Sequence, residues 1–152
     1  MSGEEGEERI VVATREIAAP SERVFALIAD PVEQPRWDGN NNLSRAAEGQ
    51  RVRAVGDVFI MTLKRGGVRE NHVVEFEEGR RIAWKPAVPG HEPPGHLWAW
   101  TLDPIEESRT LVTHTYDWTH LTDKGRFPVA RATTVERLQA SLERLAALSE
   151  PG

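Results

Sequence analysis

Three side chains of this 152-residue chain, His72, His114 and Tyr116, carry the chemistry needed to move a proton beside a carbonyl. An imidazole has a reference pKa of about 6.5 and can act as general base near neutral pH. A phenol can then donate a hydrogen bond to the enolate oxygen that forms. Arg131 offers the same service to an oxyanion, or holds the carboxylate, phenolate or enolate of a ligand that does not react. Glu70 can orient a histidine or pair with Arg131. Each side chain also has a plainer use: half-buried histidines that are simply hydrogen-bonded, a tyrosine hydroxyl satisfied locally, an arginine that snorkels to the rim of its helix. No spacing forces these residues together, so the elements that carry them must decide.

Those elements are mostly strands, and side chains alternate across a strand. Over residues 68–77 one set is Val68, Glu70, His72, Val74 and Phe76; the other is Arg69, Asn71, Val73, Glu75 and Glu77. The first is the more apolar and is expected to face the core. The same test turns Ile82 and Trp84 inward on a strand over 81–86. It does so for His96, Trp98, Trp100 and Leu102 over 96–103, and for Val112, His114, Tyr116 and Trp118 over 110–118. Over 55–64 it favours Phe59, Met61 and Leu63. The inward face so deduced has wide aromatic walls and a few polar heads, the composition of a ligand pocket; Leu, Ile and Val would fill a purely structural core more simply. Core packing is the competing use of the same tryptophans.

A cover for this face is written into residues 127–148. Phe127, Arg131, Thr134, Val135, Leu138, Leu142 and Leu145 fall within one narrow arc at helical spacing. Leu138, Leu142 and Leu145 are expected to anchor the helix on the sheet, and Phe127, Arg131 and Thr134 to overhang a cavity. At the other end, a first strand over 10–17 stops at Ala19-Pro20-Ser21. A short amphipathic helix over 21–29 follows, with Glu22 in its first turn, and ends at Asp30-Pro31. A second helical turn over 32–37 carries Trp37, and 38–42 is a polar turn. Gly66-Gly67 marks a hairpin, and 87–95, rich in proline and glycine, is a loop. Strands joined by short turns pair as an antiparallel meander with one face to hide, and the long helix hides it.

Composition bounds the function. The net charge is −5 with no dense basic run, which argues against nucleic-acid binding. There is no cysteine, so disulfides, thiol nucleophiles and thiolate metal sites are excluded. The histidines lie on separate strands without compact ligand spacing, and neither a metal nor another cofactor is expected. No apolar run approaches the ~20 residues of a membrane span, and a cytoplasmic location is expected. Residues 1–9 are acidic and polar and read as a disordered tail, leaving one domain over 10–149. Exposed edge strands leave pairing into a homodimer open.

The stretch IAAPSERVFALIAD over 17–30, followed by Trp37, resembles the opening motif of the polyketide cyclase/dehydrase-like family of the START/Bet v 1-like (SRPBCC) superfamily. The order of elements matches that superfamily from about residue 10 to residue 148. The resemblance implies an α+β helix-grip fold: a curved antiparallel sheet wrapped around a long C-terminal helix, two short helices after the first strand, and a ligand cavity between sheet and helix. It implies no particular activity, since carriers of lipids and sterols, hormone receptors and aromatase/cyclases share the fold. It also transfers no catalytic residue by motif.

The expected function is therefore binding of a small hydrophobic molecule, a lipid or an aromatic polyketide-like compound. Its expected contacts are Trp37, Phe59, Met61, Glu70, Trp84, His96, Trp98, Trp100, Trp118, Phe127, Arg131 and Thr134. Two alternatives stand beside it. One is a cyclase, aromatase or dehydratase that uses His72 or His114 as base and Tyr116 or Arg131 as oxyanion donor. The other is a protein-interaction module of the same fold. The sequence leaves open whether any reaction is catalysed.

Overall fold

The computed structural model describes residues 7–151. In chain order the elements are β1 (Ile10–Ile17), α1 (Ser21–Ala29), α2 (Gln34–Trp37), β2 (Leu43–Arg45), β3 (Val58–Leu63), β4 (Val68–Glu77), β5 (Arg81–Ala87), β6 (Leu97–Glu106), β7 (Arg109–Asp117), α3 (Phe127–Arg131) and α4 (Val135–Ser149). Short 3-10 turns, Pro31–Glu33 and Lys124–Arg126, precede α2 and α3. The strands form one antiparallel sheet in the order β1-β7-β6-β5-β4-β3-β2. The meander β3 to β7 keeps sequence neighbours adjacent, and β1 closes against β7, the last strand. The sheet grips the C-terminal helix, as expected for the helix-grip fold.

Local chemistry sets the element ends. Pro20 leads into α1, which buries Val24, Phe25 and Ile28. Its end is fixed by Asp30, whose carboxylate accepts from Val32 N at 3.3 Å, and by the proline that follows. The strand expected over 55–64 begins only at Val58. Residues 53–57 form a turn in which the Asp57 carboxylate accepts from the backbone N–H of Arg53 and Ala54. Gly56 sits there at φ 95, a backbone conformation that favours glycine. The short β2, which carries no sequence signal of its own, pairs with the end of β3. Residues 1–6 of the expected tail lie outside the described residues. The rest of it, 7–9, is held: Trp118 N donates to Arg9 O at 2.9 Å, and the Glu7 carboxylate accepts from Arg131.

The C-terminal helix is not continuous. Thr133 Oγ1 donates back to Val129 O at 3.0 Å, and Thr134 turns extended (φ −95, ψ 165) to open α4. A threonine hydroxyl that bonds to nearby backbone competes with the helix ladder, and Thr133 does so just before Thr134 leaves helical geometry. The break resets the helical phase. Leu138, Leu142 and Leu145 are fully buried, as the arc predicts, while Arg131, Thr134 and Val135 are exposed. α4 lies chiefly on β1, α2 and α1.

Contact between α4 and the turn after α2 is backbone to backbone. A Cβ placed on Gly39 would lie 2.1 Å from Arg137 O and 2.7 Å from Ser141 N, and Gly39 N donates to Ser141 Oγ at 2.8 Å. Neither backbone atom can rotate away. Gly39→Ala is expected to cost about 3 kcal/mol, measured as a lowered urea midpoint with an unchanged slope. A cost below about 0.5 kcal/mol would mean that the turn and α4 separate freely.

Candidate functional site

Between the concave face of the sheet and α2, α3 and α4 lies a cavity of about 590 Å³. Its walls are Trp37, Met61, Trp84, Trp98, Trp100 and Tyr116, with Leu121 and Ala130 closing the side under α3. The inward sets predicted for β3, β5, β6 and β7 are those observed, because these strands keep a two-residue period along the faces concerned. Trp84 pairs across with Trp98, and Trp98 with Tyr116. The ring planes of Trp98 and Tyr116 are 4.4 Å apart centroid to centroid, and Trp37 meets Trp100 edge-on at 5.2 Å. Edge-to-face and tilted aromatic contacts of this kind stiffen a wall beyond its buried area. Trp37 is further fixed by its indole N–H, which donates to Leu27 O at 2.8 Å.

Strand β4 departs from the predicted sidedness. Val73 pairs with Trp84 and Glu75 with Ala83, so two residues of β4 stand against one step of β5. Val74 is the extra residue of a β-bulge, and it is exposed. The bulge shifts the alternation by one. Phe76, beyond it, points to the core as expected and meets Phe25. Before it, the facing set is Arg69, Asn71 and Val73, and Arg69 and Asn71 line the cavity. Glu70 and His72 therefore belong to the outer face. Glu70 accepts from Gly90 N at 3.2 Å and has no contact with Arg131; His72 cannot serve the cavity as a base.

Five other expected contacts stand outside the lining for related reasons. Arg131 projects from α3 to the surface, where its guanidinium pairs with Glu7 and lies 5.5 Å from the Phe127 ring centroid. Thr134 is spent as the residue that opens α4. Phe127 and Trp118 pack edge-on at 5.4 Å and are covered by the Arg9 guanidinium. Phe59 is buried behind the wall, edge-on to Trp84 at 5.3 Å.

The two histidines that do reach the cavity are held neutral. His114 is stacked on Trp100 at 3.5 Å between ring centroids, with Trp98 nearby at 5.6 Å. Its Nδ1 lies 3.0 Å from Ala99 O; a carbonyl only accepts, so Nδ1 carries the proton and Nε2 is the acceptor. Burial pushes its pKa down to about 3, with the Ala99 bond opposing. His96 is pushed down to about 4 by burial, then by the charges of Arg126 and Arg69, and its Nδ1 is buried without a hydrogen-bond partner. Tyr116 is pushed up to about 12 by burial, offset in part by Thr133 and Arg126, so it stays a neutral donor.

Polar lining that sequence reasoning missed comes mostly from turns. Lys64 and Arg65 come from the β3–β4 hairpin, Arg126 from the turn before α3, Arg137 from α4 and Asp38 from the turn after α2. The Asp38 carboxylate is saturated: it accepts from the backbone N–H of Asn40 (3.0 Å), Asn42 (2.8 Å) and Leu43 (3.2 Å) and from Asn40 Nδ2 (3.2 Å). Alternation says nothing about turn residues, and the bulge hid Arg69. Among the described residues, no three His, Asp or Glu side chains are grouped as metal ligands would be.

Comparison with known proteins agrees with this architecture. Residues 8–150 match the sequence profile of the family described as polyketide cyclase/dehydrase and lipid transport. An uncharacterized protein of Mycobacterium tuberculosis, Rv0088, is 26% identical over 106 residues, 68% of this chain. The chain spans 45% of the length of the curated relatives it matches. The crystal structure of MLL2253 from Mesorhizobium loti superposes with a TM-score of 0.67 at 19% identity, over 92% of this chain and 96% of that one. A START superfamily protein from Mycobacterium smegmatis does so with a TM-score of 0.62 at 18% identity, over 93% and 100%. At these identities the likeness to solved structures is one of fold.

Proposed function

The chain belongs to the polyketide cyclase/dehydrase and lipid transport family, and from that premise we propose that its cavity binds a small hydrophobic molecule of acyl or aromatic type. The observation that carries the reading is the cavity itself. At about 590 Å³ it is of the size that takes a drug-sized ligand, and four of the five tryptophans wall it. Affinity would come from apolar burial at ~25 cal/mol per Å², less the costs of association. Binding is preferred to general-base catalysis because both cavity histidines are weak bases at neutral pH: desolvation opposes their protonation, and His114 has one nitrogen committed to the backbone. The protein-interaction alternative has less support. Among the described residues, the exposed large apolar side chains of the strands are spread over the sheet, Ile10 and Val12 on β1, Ile105 near the end of β6, and Val58, Ile60 and Val74 on β3 and β4. No single patch unites them.

Titration with N-phenyl-1-naphthylamine, a neutral aromatic probe, tests the reading. We expect saturable 1:1 binding, with probe emission rising as tryptophan emission is quenched by energy transfer. Absence of saturable binding, or binding without tryptophan quenching, would overturn it.

A further inference from the structure

The cavity's charge is opposite to that of the protein. The chain carries a net charge of −5, yet five cationic side chains, Lys64, Arg65, Arg69, Arg126 and Arg137, line the cavity against one carboxylate. That carboxylate, Asp38, is already engaged by four N–H donors of its own turn. Lys64, Arg65 and Arg137 are exposed and sit at the mouth. Arg69 and Arg126 are half-buried and reach further in, beside His96 and Tyr116.

Arg69 and Arg126 are held together against their own repulsion. The Arg69 guanidinium is disfavoured by burial and by the nearby charges of Arg126 and Arg65. Its Nη1 donates to its neighbour's carbonyl, Val68 O, at 2.9 Å, and among the described residues no carboxylate lies within ion-pair distance of it. Arg126 is little better served. Asp123 Oδ2 is 3.3 Å from its Nε but off the hydrogen-bonding line, so that buried N–H has no hydrogen-bond partner; Asp123 Oδ1 accepts from Gly125 N instead. The buried Nδ1 of His96 joins this cluster without a partner. Guanidinium groups present planar forks that match acid groups, and buried donors left unmatched cost free energy. This is a poor way to line a pocket for a neutral lipophile and a good way to line one for an acid.

Resting on the binding reading above, we propose that the ligand is an anionic amphiphile, with its acid group at Arg69 and Arg126 and its apolar body against Trp84, Trp98 and Trp100. The acid places the ligand's polar end toward the mouth and its apolar end toward the stacked rings. Electrostatic attraction from the exposed cations at the mouth would also raise the association rate at low salt.

The test uses a matched pair of probes on the full chain: 1-anilinonaphthalene-8-sulfonate and its uncharged analogue N-phenyl-1-naphthylamine, which lacks only the sulfonate. We expect the anionic probe to bind about tenfold tighter, the effect of charge-assisted hydrogen bonds. Arg69→Gln and Arg126→Gln should each remove most of that preference while changing the neutral probe's affinity less than about twofold. Retention of the neutral probe shows that each variant is folded. Equal affinity for the two probes, or a preference that survives both substitutions, overturns the anion site while the hydrophobic pocket stands. Failure of both probes to bind overturns the pocket and this inference with it. If the preference falls with Arg65→Gln but with neither Arg69→Gln nor Arg126→Gln, attraction at the mouth explains it and the assigned site is wrong.

Discussion

Taking the protein from pH 7 to pH 5 is expected to remove about 4 kcal/mol of stability, before most carboxylates begin to titrate. The cause is the pair of buried neutral histidines. In the unfolded chain His96 and His114 have ordinary pKa values near 6.5, whereas folding holds them down to about 4 and about 3. Well above pH 6.5 both states are neutral at these positions and neither residue favours unfolding. As pH falls below that value the unfolded chain takes up protons that the folded chain refuses, and stability declines. The loss continues until the folded values are reached and then levels off. Its slope approaches about 1.4 kcal/mol per pH unit for each histidine. Urea unfolding at a series of pH values measures it. Substituting His114 by glutamine should lower stability at pH 7 and halve the slope between pH 6 and pH 5. A flat profile between pH 7 and pH 5 would show that the histidines are not held neutral.

Trp100→Ala is the substitution of largest expected cost, about 4 kcal/mol. Trp100 is fully buried, edge-on to Trp37 on one side and face-on to His114 on the other. Its indole Nε1 makes no hydrogen bond, so the loss is of packing alone. Truncation joins the volume of an indole to an existing cavity, and the fixed strand register prevents the sheet from closing over it. Trp100→Phe keeps the stack on His114 and should cost less than half as much. Calorimetry or urea unfolding of the two variants at pH 7.5 separates the outcomes. Equal costs would mean that the ring kept by phenylalanine recovers neither packing nor stacking at this position.

How far the sequence went follows from what kind of signal each element carries. Strand β5, β6 as far as Pro104, and β7 alternate without interruption across the cavity, so Trp84, Trp98, Trp100, His114 and Tyr116 were placed on the cavity face by counting. The anchor residues Leu138, Leu142 and Leu145 were legible because α4 is regular across them. Counting failed where the backbone changes phase. The break at Thr133 and Thr134 turned Arg131 outward, and the bulge at Val74 exchanged Glu70 and His72 for Arg69 and Asn71. Both defects span no more than a few residues, with no residue-type signature strong enough to announce them. Val74 in particular is a good strand former on either side of a sheet. The turn-borne cations Lys64, Arg65 and Arg126 were invisible for a different reason: a turn residue reaches the cavity through tertiary placement, which no local period encodes.

The bulge has a consequence for how binding specificity can change over evolutionary time. It works as a reading-frame shift in three dimensions. With Val74 as the bulge, the first half of β4 offers the pocket a guanidinium and an amide; if the bulge closed with Val74 drawn into the ladder opposite Trp84, the same stretch would slip by one residue and offer Glu70 and His72. That slip would replace a cation with a carboxylate on the wall while leaving Phe76 in place, whereas deleting Val74 would only straighten the strand and keep Arg69 and Asn71 inward. Ligand charge in this fold can be inverted by a change of strand register, without substituting any residue that lines the pocket.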